Sequence, residues 1–192
     1  MSTSGGEPRI RRADIAIRTI TARDNAAVRE LYRATYMPYA DDAPIEIRGA
    51  VTEYVEQSLA DDLADPFKHY MTHPRTGFFV AEAADPAAGR GRKVIAGMLG
   101  VDHWEGDEKI AQLRRVAVSS RFRRQGIGRR LMGFAEQWAV EHGYTSMRFY
   151  TVEQLVEAIA MYESLGYRLV QKHEFGPVVG REYEKPLGPS SA

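Results

Sequence analysis

Arg121-Phe122-Arg123-Arg124-Gln125-Gly126-Ile127-Gly128-Arg129-Arg130 stands between a strand and a helix and decides how the chain is read. Ahead of it, Ile110 to Val118 reads as a strand that ends in Leu-Arg-Arg-Val-Ala-Val. Behind it, Ile127, Leu131, Phe134 and Trp138 recur at helical spacing, so a helix opens at Gly126 and runs to His142, before Gly143. Two glycines at that junction let a ligand approach the backbone, because no Cβ stands in the way. The first amides of a helix have no partner within it and sit at the positive end of its dipole. Together they make an anion site suited to phosphate. The flanking arginines add charge, and each charge-assisted hydrogen bond contributes roughly 1.5–3 kcal/mol. Two common phosphate binders are excluded by spacing. A dinucleotide loop needs glycine where Leu131 stands, and a nucleoside-triphosphate loop needs lysine after its second glycine. A glycine-capped helix with surface arginines remains the plain structural alternative.

Arg123, Gly126 and Gly128 form R-x-x-G-x-G, which resembles the coenzyme A pyrophosphate motif of the GNAT superfamily of N-acetyltransferases. A second segment shares the resemblance. Ala158-Ile159-Ala160-Met161-Tyr162-Glu163-Ser164-Leu165-Gly166-Tyr167 is similar to the second signature of that superfamily, A-x-x-x-Y-E-x-x-G-[FY]. It follows a strand at Ser146 to Thr151 and a helix from about Leu155 to Leu165, which Gly166 suits as a left-handed cap. The resemblance runs from about Ile15 to Leu187. Within it, Leu113 to Tyr167 also resembles the camello branch, which includes cysteine-conjugate N-acetyltransferases.

The remaining elements are consistent with one domain over residues 13–187, between tails at 1–12 and 188–192. Ile15, Ile17 and Thr19 alternate as a first strand. Thr21 with Asp24 makes a capping box opening a helix that runs to about Tyr36. Pro38 and Pro44 bracket a loop, and a second helix is expected over Val51 to Leu63. Pro66 starts a short turn ended by Pro74. Phe78 to Ala83 and Val94 to Val101 read as paired strands around the linker 85–92. Tyr167 to Phe175 and Arg181 to Lys185 form a closing hairpin about Gly176-Pro177. The order is that of the GNAT fold, an α/β (α+β) mixed central sheet of about seven strands with helices on both faces.

Composition narrows the function. Lysine plus arginine number 26 and aspartate plus glutamate 26, a formal net charge of zero that argues against general nucleic-acid or membrane affinity. The arginines cluster at 9–18 and 114–130, which suits a small polyanion better than a duplex. No stretch is long and apolar enough to span a bilayer, and no hydrophobic signal region opens the chain. Cysteine is absent, so a cytoplasmic location is expected and no acyl-cysteine intermediate can form. Acyl transfer is then expected to pass directly from thioester to amine.

The resemblance implies acetyl-CoA as co-substrate and no metal. It assigns the coenzyme to Val116, Ala117, Val118, Arg123, Arg124, Gln125, Gly126, Ile127, Gly128, Arg129, Leu155, Ala158 and Tyr162. Val116 and Val118 would offer backbone groups to the pantetheine arm, and one of their amides would stabilise the thioester oxygen. Tyr162 matches the signature tyrosine and is expected to serve the leaving sulfur as general acid or orienting group. Two positions depart from the pattern. Gln112 stands where many members carry a glutamate base, and glutamine can only hold a water. His103 and Glu105 are the other candidates for the base, though His103 suits a solvated loop equally. Leu155 replaces a frequent asparagine. Tyr32, Tyr36 and Tyr39, with Asp41 and Asp42, are candidates for binding an amine in the segment that recognises substrate in this superfamily. They fit ordinary core and surface positions as well. His69 and His73 stand four apart, yet no acidic pattern accompanies them and no metal site is expected. A weak base favours an α-amino group, which titrates near 7.7–8.0, over lysine near 10.4. The expected acceptor is a small amine or amino-acid-like molecule, and the protein a monomer or homodimer. The rivals are a protein N-terminal or lysine acetyltransferase and a non-catalytic acyl-CoA-binding module.

Overall fold

A computed structural model describes residues 15–85, 92–175 and 178–188. The predicted tails, most of the 85–92 linker and the Gly176-Pro177 turn lie outside them. Seven strands form one sheet in the order β1-β2-β3-β4-β5-β7-β6. They are β1 (Ile15–Thr19), β2 (Gly77–Ala84), β3 (Lys93–Trp104), β4 (Asp107–Val118), β5 (Ser146–Val152), β6 (Arg168–Phe175) and β7 (Val178–Pro186). β4 and β5 run parallel and the other neighbours antiparallel. Helices α1 (Asn25–Asp42), α2 (Ile45–Ala60), α3 (Pro66–Met71), α4 (Ile127–Glu141) and α5 (Val156–Ser164) fill the connections. The mixed, helix-flanked sheet expected from the sequence is present.

Strand alternation divides the interior into two cores. Phe79, Leu99, Val101, Leu113, Met147 and Phe149 meet Ile127, Leu131, Met132 and Ala135 of α4 and Ile159 and Tyr162 of α5. On the opposite face Phe78, Val80, Met98 and Ala117 meet Val28, Leu31 and Tyr32 of α1 and Val55 and Leu59 of α2. The Thr21–Asp24 capping box is formed, but it opens a short 3-10 turn over Ala22–Asp24 that leads into α1. There Arg18 and the Thr21 amide and hydroxyl bond the Asp24 carboxylate.

The first two helices differ from expectation. α1 passes through Pro38 and ends at Asp42, so no loop lies at 39–42. An interior proline removes one helical hydrogen bond. The carbonyl it orphans belongs to Ala34, on an exposed face, and continuing the helix buries Ala40. α2 begins at Ile45, six residues before the expected start, and ends three residues earlier than expected. Pro44 is its extended N-cap, and its carbonyl accepts from the amides of Ile47 and Arg48. Gly49 within the helix obscures the periodicity that begins with buried Ile47.

Candidate active site

Strands β4 and β5 pair only at Ile110–Ser146, Ala111–Met147 and Gln112–Arg148. Beyond Gln112 the pairing stops, and the stretches Leu113–Val118 and Phe149–Val152 border an open slot. A bulge in β4 shapes that slot. Met98 pairs with Ala117 and Gly100 with Arg114, so β4 carries one residue more than β3 over the same stretch. Arg115 takes φ +56 there, a left-handed conformation uncommon for arginine. Its side chain holds it in place. Nε bonds both Asp62 oxygens at 3.1 and 3.0 Å, Nη2 bonds Asp62 Oδ1 at 2.6 Å, and Nη1 bonds Ser58 Oγ at 2.7 Å and Tyr54 Oη at 3.1 Å. Asp62 is fully buried. Burial alone would raise its carboxyl, but the hydrogen bonds and charge of Arg115 outweigh that and hold it below the usual carboxylate value. Thus α2 and the segment after it fix the backbone at the slot.

The bulge also separates the strand residues assigned to the coenzyme. Ser119 donates its amide to Ala96 of β3, so the alternate residues Val118 and Val116 turn their backbone groups away from β3, toward the slot. Ala117 faces the other core and pairs with Met98, so its contribution is packing. The Tyr36 hydroxyl crosses from α1 and donates to the Val116 carbonyl at 2.6 Å. Burial raises the Tyr36 hydroxyl well above its usual value, and the proximity of Tyr162 adds to the rise. Of the three tyrosines proposed for substrate, Tyr36 bonds the backbone of the motif strand, and Tyr32 meets it through the Arg115 side chain, whose Nη1 donates to the Tyr32 hydroxyl at 3.3 Å. Tyr32 is core, its hydroxyl 3.2 Å from Ser58 Oγ, and exposed Tyr39 stands 6.2 Å from Tyr36 between ring centroids.

At the N-terminus of α4, Gly126 has φ +79 and ψ 11, and its carbonyl accepts the first helical bond, from the Arg130 amide. The amides of Gly126, Ile127, Gly128 and Arg129 therefore precede the helical ladder. Nothing lies within 4 Å of where a Gly126 Cβ would stand. A Cβ on Gly128 would sit 3.1 Å from Met161 Sδ, so this glycine lets α4 approach α5. Gln125 has a buried Oε1 without a partner. Arg123 and Arg124 are exposed, Arg124 facing Glu157 at 3.6 Å. Arg129 is held by Ser164 at 2.7 Å and Arg130 by the Ile15 carbonyl at 2.9 Å. Arg114 and Arg115, counted with the phosphate cluster in sequence, instead turn to Asp102 and Asp62 on the other face of the sheet. Open amides and a vacant Cβ direction fit a diphosphate at this helix end.

On α5, Tyr162 is 6 % exposed, its ring 4.5 Å from Phe149 and 6.3 Å from Tyr167. Burial holds its hydroxyl above the ordinary phenol value, so it stays protonated at neutral pH. Leu155 caps α5 without a side-chain bond, and Ala158 packs against the same core.

His103, Glu105 and Gln112, the three candidates for the base, line one cavity of about 320 Å³ with Trp104 and Tyr150. It opens where β4 and β5 part. The His103 ring is occupied: Nε2 stands 3.2 Å from His73 Nδ1 and Nδ1 3.0 Å from the Tyr144 hydroxyl. His69 stands 3.7 Å from Asp102. Among the described residues no group of three histidine or carboxylate ligands is gathered for a metal ion.

The profile described as "Acetyltransferase (GNAT) family" matches residues 27–167, and the chain belongs to that family. Among curated relatives, human N-acetyltransferase 8 is 34 % identical over 117 residues, 61 % of this chain and 49 % of that protein. The chain thus spans about half the length of that relative. A GNAT acetyltransferase from Staphylococcus aureus Mu50 superposes with TM-score 0.68 at 15 % identity, covering 91 % of this chain and 99 % of that one. The PaiA N-acetyltransferase of Thermoplasma acidophilum, solved with coenzyme A, gives TM-score 0.65 at 18 % identity over 88 % and 97 %. These likenesses establish the fold. No described helix is long and apolar enough to cross a membrane.

Proposed function

We propose that this protein transfers an acetyl group directly from acetyl-CoA to the primary amine of a small molecule. The observation that carries the reading is the opening of β4 from β5 after Gln112, with the Val118 backbone and the Val116 amide turned away from β3 along one wall and the α4 amides at the mouth. A pantetheine arm can pair with the Val116–Val118 edge while its diphosphate meets Gly126 to Arg129. The partial likeness to N-acetyltransferase 8 supports the same activity. Membership of the camello branch, resting on 113–167, belongs to this proposal.

In the reaction the amine nitrogen bonds the thioester carbon, the carbon–sulfur bond breaks, and the amine loses a proton. A strand amide at Val116 or Val118 stabilises the carbonyl oxygen as charge develops. A thiol titrates near 8.5, well below the raised Tyr162 hydroxyl, so full proton transfer from Tyr162 to the thiolate is uphill. Tyr162 therefore acts as a hydrogen-bond donor to the departing sulfur, which takes its proton finally from solvent. The amine proton leaves through water held by Gln112, with Glu105 in the same cavity to receive it.

Tyr162→Phe tests the sulfur contact. Removing one donor to a developing anion is expected to lower turnover by about tenfold or more. Acetyl-CoA affinity, measured by calorimetry, should stay near wild type, because binding rests on the strand and the α4 amides. An unchanged turnover number excludes the role.

A further inference from the structure

The cavity at the parting of β4 and β5 has a chemistry specific enough to name its occupant. β5 alternates, so Met147 and Phe149 enter the α4–α5 core while Arg148 and Tyr150 face the other way. That second face is open at β5, where Tyr150 is 55 % exposed. Trp104, on the neighbouring hairpin, lies 5.1 Å from Tyr150 with the rings tilted by 31°. Two amphipathic rings thus line the same cavity as Gln112, the last residue at which the strands still pair.

The charges around these rings have one sign to spare. Arg148 stacks over Trp104 at 4.9 Å, but its guanidinium is already committed. Nη1 meets Glu182 at 3.3 Å, Nη2 meets Glu184 at 2.6 Å, and Nε is shut away from solvent. Arg114, next along β4 on this face, is taken by Asp102 at 3.2 Å. Glu105 sits on the rim and acts electrostatically on Tyr150, as does Glu182. His173, 5.5 Å from the Tyr150 ring, is bonded to Glu182 at 3.1 Å. Among the described residues an incoming carboxylate would find Arg148 and Arg114 already paired with carboxylates, and Glu105 on the cavity wall. An ammonium or an aromatic ring meets complementary surfaces instead.

We propose that the acceptor is an aromatic amine without a carboxylate, its ring against Trp104 and Tyr150 and its amine at Gln112 facing the slot. The assignment rests on the acetyltransferase reading above and goes beyond it, since a small acceptor could equally have been an amino acid. It also separates this chain from a cysteine-conjugate enzyme, whose acceptor carries a carboxylate beside the amine.

The test is thiol release from acetyl-CoA with 2-phenylethylamine, phenylalanine, S-benzylcysteine, aspartate and a lysine-containing peptide. The expected result is a kcat/KM for 2-phenylethylamine about tenfold or more above each of the others. Trp104→Ala should raise its KM by about tenfold, and Tyr150→Leu, at a position more than half exposed and outside both cores, by at least about threefold. Acetyl-CoA affinity should not change in either variant. Equal or better use of phenylalanine, S-benzylcysteine, aspartate or the peptide overturns the assignment and leaves the acetyltransferase reading standing. So does an unchanged KM in both variants. Coenzyme binding without turnover of any amine overturns both.

Discussion

Gly126→Glu is expected to weaken acetyl-CoA binding by about a hundredfold, a loss of about 2.7 kcal/mol. Two effects add. The residue holds φ +79, where a side chain costs about 1–2 kcal/mol, so the loop drifts from the conformation that aims its amides outward. The new carboxylate also stands at the helix end meant for a diphosphate, where like charge repels. The fold should survive, because nothing lies within 4 Å of the added Cβ. Gly126→Asn separates the causes. Asparagine tolerates the left-handed region and brings no charge, so binding should stay within about threefold of wild type. Titration calorimetry of the three proteins reads both numbers. Equal affinity of wild type and Gly126→Glu would place the diphosphate elsewhere.

Asp62→Ala is expected to cost about 3–5 kcal/mol of stability, the usual result of leaving one partner of a buried ion pair alone. Asp62 is fully buried and receives Arg115 through both oxygens, and the Tyr70 hydroxyl also donates to it. For a chain of this size each kcal/mol shifts the melting temperature by about 2–4 °C. Turnover should fall further than coenzyme affinity, because the orphaned Arg115 no longer fixes the bulge beside Val116. Replacing both residues, as Asp62→Leu with Arg115→Met, should recover part of the stability and little of the turnover. The pH dependence has a definite sign. In the folded protein the hydrogen bonds and charge of Arg115 hold the Asp62 carboxyl below the usual carboxylate value of about 3.9. Its contribution is complete above that value and is lost as pH falls through the lower folded one. Acid unfolding of wild type below about pH 4 should therefore be steeper than that of Asp62→Asn. Identical profiles would mean the pair contributes nothing.

The contrast between these two sites shows what the sequence reveals. Gly126 is legible because close backbone approach and open helix amides are local properties of the residues in the loop. The two cores are legible for the same reason: strand alternation and the helical repeat of α4 sort side chains by face. Arg115 is not. Nothing in Leu-Arg-Arg-Val-Ala-Val marks an arginine for φ +56, and in one dimension it joins a run of cations that suits phosphate. Its actual partner lies 53 residues away, on the segment after α2. Tyr36 was visible as a candidate for the acceptor, but its bond to the Val116 carbonyl depends on how α1 crosses the sheet. Trp104 and Tyr150 meet only because β3, β4 and β5 are neighbours, so the aromatic walls beside Gln112 follow from topology. His103 is the converse case: its position suggested a base, while its ring is engaged with His73 and Tyr144.

The most direct test of the central claim is to incubate the purified protein with acetyl-CoA and primary amines, following free thiol and N-acetylated amine together. Direct transfer predicts that the two appear in equal amounts, only when both substrates are present, and at a rate that Tyr162→Phe lowers. No thiol release above the uncatalysed rate with any amine, at coenzyme concentrations shown by calorimetry to saturate the protein, would contradict it.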